Sequence, residues 1–143
     1  MIRVVLDANV LISALISSNG IPARILDAWL QGQFQLFVSP PIVKEIRRVL
    51  QYPRIAERLK VGEADLLIKK LAAMAEWVKG NEPLNVLTRD PSDEIYLSCA
   101  VEAKCNYLVT GNYDHFEEAG SEFLGVKIVK PSQFIDIIHT GEY

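Results

Sequence analysis

Hydrophobic positions along the chain follow two rhythms. Ile2-Arg3-Val4-Val5-Leu6 is a nearly continuous apolar run with a β-branched bias, closed by Asp7 and followed two positions later by Asn9. Such a run predicts a central parallel strand covered on both faces. Shorter runs of the same kind lie at Leu36-Phe37-Val38, Val86-Leu87, Tyr107-Leu108-Val109-Thr110 and Val126-Lys127-Ile128-Val129. Between them the apolar spacing lengthens to three and four. Ile42, Val43, Ile46, Val49 and Leu50 share one helical face, with Ser39 as the predicted cap and Pro40-Pro41 in the first turn. Leu67, Leu71, Met74 and Val78 extend a second helix over about Glu63 to Val78. Val10 to Ser17 continues apolar, and Ser18-Asn19-Gly20 marks a loop before a helix at about Ala23 to Leu30. Further helices are predicted at Ile55 to Leu59, from TRDPSDE to about Ala103, over Asp114 to Glu118, and from Pro131-Ser132 to about Ile138.

Strands alternating with helices of this length imply an α/β fold, with a mostly parallel sheet between two helical layers. No repeat, low-complexity tract or linker divides residues 1–143, which therefore read as one domain.

Composition narrows the class. Half the residues are hydrophobic, and 143 residues suffice for a packed core without disulfides or a structural metal. Charged residues interrupt every apolar run before the roughly 18 residues of a membrane span. No leader pattern precedes the first strand, so the expected location is cytoplasmic. Cys99 and Cys105 suit buried thiols better than a metal knuckle or a redox pair.

The net charge of −3 argues weakly against nucleic acid, but its distribution does not. From Lys44 to Lys70, eight basic residues face four acidic ones, leaving this stretch at +4 and the remainder at −7. A phosphate backbone could meet that region.

Four acids follow turns at one edge of the predicted sheet. Asp7 closes the first strand, Glu45 lies one turn into the helix after the second, Asp93 opens the helix after the third, and Asp114 follows the fourth. Parallel strands would present all four at the same end. Two unit charges about 5 Å apart repel by roughly 3 kcal/mol at an effective dielectric near 20, so their convergence calls for a cation or a bound proton. Oxygen ligands without His or Cys suit Mg²⁺ or Mn²⁺. Each acid also has a plainer role: Glu45 as the ion-pair partner of a neighbouring cation, Asp93 as a first-turn complement to the helix dipole, Asp114 as a cap. A buried Asp7 is the hardest to explain without a partner.

VLDANVLISAL, SPPIVKEIRRVL, DPSDEIYLSCA and YLVTGNYDHF, in that order, resemble the PIN-domain nucleases, most of all the toxins of prokaryotic toxin–antitoxin pairs. The resemblance runs from Ile2 to about Phe134. It implies a three-layer α/β/α domain with a mostly parallel sheet, Mg²⁺- or Mn²⁺-dependent cleavage of single-stranded RNA, a homodimer and a cognate antitoxin protein. By matching positions it makes Asp7, Glu45 and Asp93 metal ligands, with Asn9 and Thr110 supporting them. Many relatives carry Asp where this chain has Asn112, with Asp114 two positions further on. Either Asp114 serves in its place as a metal and catalytic ligand, or three carboxylates hold a second ion weakly. Beside the acids, Lys44, Arg47 and Arg48 share the helix of Glu45 and are the expected RNA contacts.

Two other readings compete. A PIN-like protein that binds RNA or a partner with little or no cleavage agrees with Asn112 and the acidic net charge. An aspartate-based phosphatase also places an Asp at a strand end, but the second Asp expected two positions on is Asn9. No GxSxG turn or Gly-rich phosphate loop supports other hydrolase or nucleotide-binding chemistry.

Overall fold

A computed structural model describes residues 1–81, 94–111 and 122–141. The predicted strand Val86-Leu87 and the short helix over Asp114 to Glu118 lie outside them. Strands are β1 (Arg3–Leu6), β2 (Gln35–Val38), β3 (Glu76–Trp77), β4 (Tyr107–Val109), β5 (Glu122–Phe123) and β6 (Val126–Val129). Helices are α1 (Ala8–Ile16), α2 (Ile21–Leu30), α3 (Pro40–Leu50), α4 (Pro53–Ala56), α5 (Glu63–Met74), α6 (Glu94–Glu102) and α7 (Pro131–Thr140).

The described strands form one sheet in the order β3-β2-β1-β4-β6-β5, parallel except for β5 against β6. This is the mostly parallel α/β/α arrangement expected from the alternation of strands and helices. The apolar run at the start became β1 because it is flanked on both sides: Val4 and Val5 are wholly buried, and β2 and β4 pair with it in parallel. From β1 the chain steps outward to β2 and β3, then returns to the other side of β1 as β4. The strand order therefore reverses between β1 and β4. In open α/β sheets, the carboxyl ends beside such a reversal leave a crevice that helices do not fill.

Helix α3 shows the expected two faces. Ile42, Val43, Ile46 and Leu50 are buried, whereas Lys44, Arg47 and Arg48 are exposed. Ser39 caps it by accepting from the Ile42 N–H, with both prolines in the first turn. On the sheet, α7 delivers Phe134 edge-on to Phe34 and Tyr107, with ring centroids 5.2 and 5.8 Å apart.

Three elements differ from the sequence expectation. The chain after Leu6 does not merely continue apolar but forms α1, capped by Asp7 itself. Helix α5 stops at Met74, because Ala75 turns extended and Glu76–Trp77 pairs with β2 as the edge strand β3. The helical segment placed at Ile55 to Leu59 starts earlier, at Pro53, and is a single turn.

Candidate active site

Asp7 sits at the carboxyl end of β1, next to the end of β4, where the strand order reverses. Its backbone N–H donates to the Val109 carbonyl at 3.0 Å, carrying the β1–β4 pairing one residue beyond the strands. The side chain is held from two directions. Thr110 Oγ1 donates to Asp7 Oδ2 at 2.8 Å, and the Asn9 backbone N–H donates to Oδ1 at 3.0 Å as an N-cap bond of α1. Asp7 is 2% exposed and Thr110 is fully buried. Burial penalises an ionised carboxylate, and charge-assisted hydrogen bonds offset part of that penalty. The macrodipole of α1 adds to them, since its positive end meets the carboxylate. The sequence thus spends a strand end, a helix cap and a threonine 103 positions away on fixing one carboxyl group.

Glu45 belongs to the same edge of the sheet by connectivity. Strand β2 lies beside β1, parallel to it, and runs through Ser39 directly into α3, which packs against α1. Its carboxylate forms a two-point ion pair with Arg48, Nε to Oε2 at 3.0 Å and Nη2 to Oε1 at 2.5 Å. Arg48 also donates to the Tyr52 hydroxyl and stacks over that ring, 5.2 Å from its centroid. Glu45, Arg48 and Tyr52 form a chain of contacts that runs along α3 and past its end to the cap of α4.

The remaining predicted residues separate. Asn9 is exposed at the start of α1, while its backbone serves Asp7. Lys44 is exposed. Arg47 lies on a different side of α3, lining a hollow of about 430 Å³ with Leu50, Gln51, Ala64, Asp65, Ile68 and Lys69. Positions two apart on a helix do not face each other, which is why Arg47 and Glu45 part company. Asp93, Asn112 and Asp114 lie outside the described residues. Among the described residues no group of three or more His, Cys, Asp or Glu is placed to hold a metal ion. Asp7 and Glu45 supply oxygen donors of the type a hard divalent cation takes.

Sequence reasoning passed over a cleft of about 520 Å³ that opens beside Asn9. Val49, Tyr52, Pro53, Arg54, Ile55 and Arg58 complete its lining. Pro53 opens the single turn α4, and Arg54 and Arg58 share the cleft lining with Asn9 of α1.

A carboxylate buried at the switch point of a parallel sheet, fixed by a neighbouring strand and a helix cap, stands where open α/β sheets take their ligands. The chain belongs to the PIN domain family, whose model matches residues 3–114. PIN domains are generally nucleases, and the family's nucleases generally use divalent metals. The chain is also similar to an uncharacterized protein of Methanocaldococcus jannaschii, with 33% identity over 144 residues that span 94% of this chain and 90% of the relative.

Proposed function

We propose that this chain is a Mg²⁺- or Mn²⁺-dependent endoribonuclease that hydrolyses phosphodiester bonds of single-stranded RNA. The observation that carries this reading is Asp7, a 2%-exposed carboxylate at the switch point, oriented by Thr110 and the Asn9 N–H. Asp7, Glu45, Asp93 and Asp114 are the proposed metal ligands and catalytic carboxylates, with Asn9, Thr110 and Asn112 in support. A bound Mg²⁺ or Mn²⁺ offsets the charge of the scissile phosphate and assists loss of a proton from the attacking water. Asp7 holds its oxygens at fixed positions, so little reorganisation is needed as charge builds on the phosphate. Glu45, now paired with Arg48, would hold the cation together with Asp7. Lys44, Arg47 and Arg48 are proposed to neutralise RNA phosphates, Arg48 once Glu45 has released it.

The resemblance in SPPIVKEIRRVL and YLVTGNYDHF supports the toxin role within a toxin–antitoxin pair, with a cognate antitoxin as partner and a cytoplasmic location. One nuclease domain over residues 1–143 is part of the same proposal. A homodimer is supported by apolar side chains left exposed on α5 and β3, Leu66, Met74 and Trp77, whereas Trp29 is core. Light scattering across concentrations tests it; a persistent 16.0 kDa species rules the dimer out.

One observation favours the reading of a PIN-like binding protein with little cleavage: Arg48 already holds Glu45 at two points. Both readings meet in a single experiment. Labelled single-stranded RNAs are incubated with the protein and with Asp7→Asn, in Mn²⁺, Mg²⁺ or EDTA. Metal-dependent cleavage that the variant loses supports the nuclease. Binding of a broad RNA set without cleavage by either protein supports the binding role.

A further inference from the structure

The cleft beside Asn9 is built from two kinds of surface. Val49, Pro53 and Ile55 are apolar, Tyr52 contributes a ring that is 42% exposed, and Arg54 and Arg58 contribute two exposed guanidinium groups. Glu57 lies between the two arginines in sequence but does not line the cleft. Among the described residues, neither the Arg54 nor the Arg58 guanidinium pairs with a carboxylate or another hydrogen-bond acceptor. In this they differ from Arg48, which is committed to Glu45 and Tyr52, and from Arg47, which shares its hollow with Asp65. Asn9, at the mouth of the cleft, is the residue whose N–H fixes Asp7.

We infer that this cleft is a subsite for single-stranded RNA, in which Arg54 and Arg58 neutralise phosphates and the Tyr52 ring receives a base. The inference deepens the nuclease proposal and rests on it for the choice of RNA. Two unpaired cations beside an apolar wall complement a strand that alternates charged phosphates with flat bases, and aromatic stacking with a basic track is the general chemistry of single-strand binding. Arg48 occupies one face of the Tyr52 ring and holds its hydroxyl, so the ring reaches the cleft already oriented. An oriented ring loses little side-chain freedom when a base settles on it. Because Arg48 also grips Glu45, the subsite is tied through Tyr52 and Arg48 to a proposed metal ligand. Tyr52 and the two arginines would therefore hold the strand in register with the site, the arginines through its phosphates and the ring through a base.

The test is equilibrium binding rather than turnover. Fluorescein-labelled single-stranded RNA is titrated, in EDTA and over a salt series, with the full chain carrying Asp7→Asn, and with the same protein carrying Arg54→Gln and Arg58→Gln. The double glutamine variant is expected to bind more weakly for every sequence, and the slope of log affinity against log salt to shrink by about 1.4. Tyr52→Phe should bind within about twofold of its parent, while Tyr52→Ala should lose roughly tenfold. Exposed arginines leave the urea midpoint unchanged, which separates lost contacts from lost fold. Unaltered affinity and slope in the double glutamine variant overturn the subsite, even if metal-dependent cleavage stands. Loss of binding in that variant, together with no cleavage by the wild-type chain, retains the subsite and removes the nuclease. Equal affinity for poly-glutamate, lost in the same variant, overturns RNA in favour of an acidic protein segment.

Discussion

Thr110 and Asp7, 103 positions apart in the chain, meet through a 2.8 Å hydrogen bond in which the buried hydroxyl donates to the carboxylate. The bond exists because β4 pairs with β1 in parallel and in register, Leu6 opposite Val109, so the next residues of both strands emerge side by side. It joins the residue that follows β4 to the N-cap of α1. Thr110→Val keeps the shape and removes the donor, and should cost about 1.5–3 kcal/mol, the usual worth of a hydrogen bond to a charged group. Thr110→Ser should recover most of it. Urea unfolding of the three proteins measures both; a valine variant as stable as the parent would show that water or another donor replaces the hydroxyl.

Replacing Asp7 separates its structural from its chemical work. Asn accepts from the Asn9 N–H as well as Asp does at a helix N-cap, so Asp7→Asn should fold with stability within about 1 kcal/mol of the parent while losing metal-dependent cleavage. Asp7→Ala removes the cap and the acceptor of the Thr110 hydroxyl, for a loss of about 2–4 kcal/mol. Thermal melts beside the cleavage assay distinguish the two. Equal destabilisation by both substitutions would mean that the negative charge, not the acceptor, holds this corner together.

The strand that carries Asp7 was legible because its burial on both faces writes a plain apolar run, and α3 because its spacing of apolar residues is periodic. Other elements were hidden for physical reasons. Helix α1 buries Ala8, Val10, Leu11, Ile12 and Ala14, so it lacks the polar stripe that makes a helix readable. Trp77 and Val78 continue the apolar register of α5, and only pairing with β2, a tertiary event, pulls residues 76–77 into a strand. At the site, Asp7 and Thr110 were found as separate residues, but their contact follows from strand order. Arg54 and Arg58 read in the sequence as charge without a place, since the cleft that gathers them with Asn9 is a tertiary feature.

In the proposed site Glu45 exchanges Arg48 for a cation, which makes the ion pair a competitor of the metal. The pair lies on an exposed helix face, with the Arg48 side chain 56% exposed, and contributes under about 1 kcal/mol to stability. Arg48→Gln should therefore leave the urea midpoint nearly unchanged and tighten Mn²⁺ binding by up to about fivefold, the equivalent of about 1 kcal/mol. Isothermal titration of both proteins with Mn²⁺ decides the matter. Weaker Mn²⁺ binding by the variant would show that Arg48 positions Glu45 for the metal instead of competing with it.

Gly80 makes a second close approach at the start of α3. Its φ of +77° is a left-handed conformation, and a Cβ there would stand 2.6 Å from Ser39 Cβ and 2.7 Å from Ser39 Oγ. Ser39 is fully buried as the α3 cap, and the Glu102 carboxylate accepts from the N–H groups of Lys79 and Gly80 at 2.9 and 3.0 Å. The backbone is thus pinned from one side and blocked on the other. Gly80→Ala should cost about 2–4 kcal/mol from strain and overlap combined. Gly32→Ala, equally left-handed but open to solvent, should cost about 1 kcal/mol. Similar losses at the two sites, in parallel urea titrations, would assign the whole effect to φ and none to Ser39.

The two thiols give the protein an alkaline limit. Burial pushes Cys99 up from 9.0 to about 12, with Cys105 and Glu102 adding to it and a hydrogen bond with Ser39 opposing it; burial likewise pushes Cys105 up to about 12, against the pull of Arg3. Below pH 9 both states of the chain hold the thiol protons, and the shift contributes nothing to the pH dependence. Between pH 9 and 12 the unfolded chain ionises while the folded one does not, so unfolding releases protons and stability falls as pH rises. At pH 10 the loss is of order 1 kcal/mol per thiol. Comparing urea midpoints at pH 8 and pH 10, Cys105→Ala should lose less than the parent over that interval. The same burial predicts that neither cysteine reacts with a thiol reagent at pH 8 faster than the chain opens, so labelling rates should rise steeply with urea. Rapid labelling of either cysteine in native buffer would place it on a mobile surface and remove the alkaline term with it.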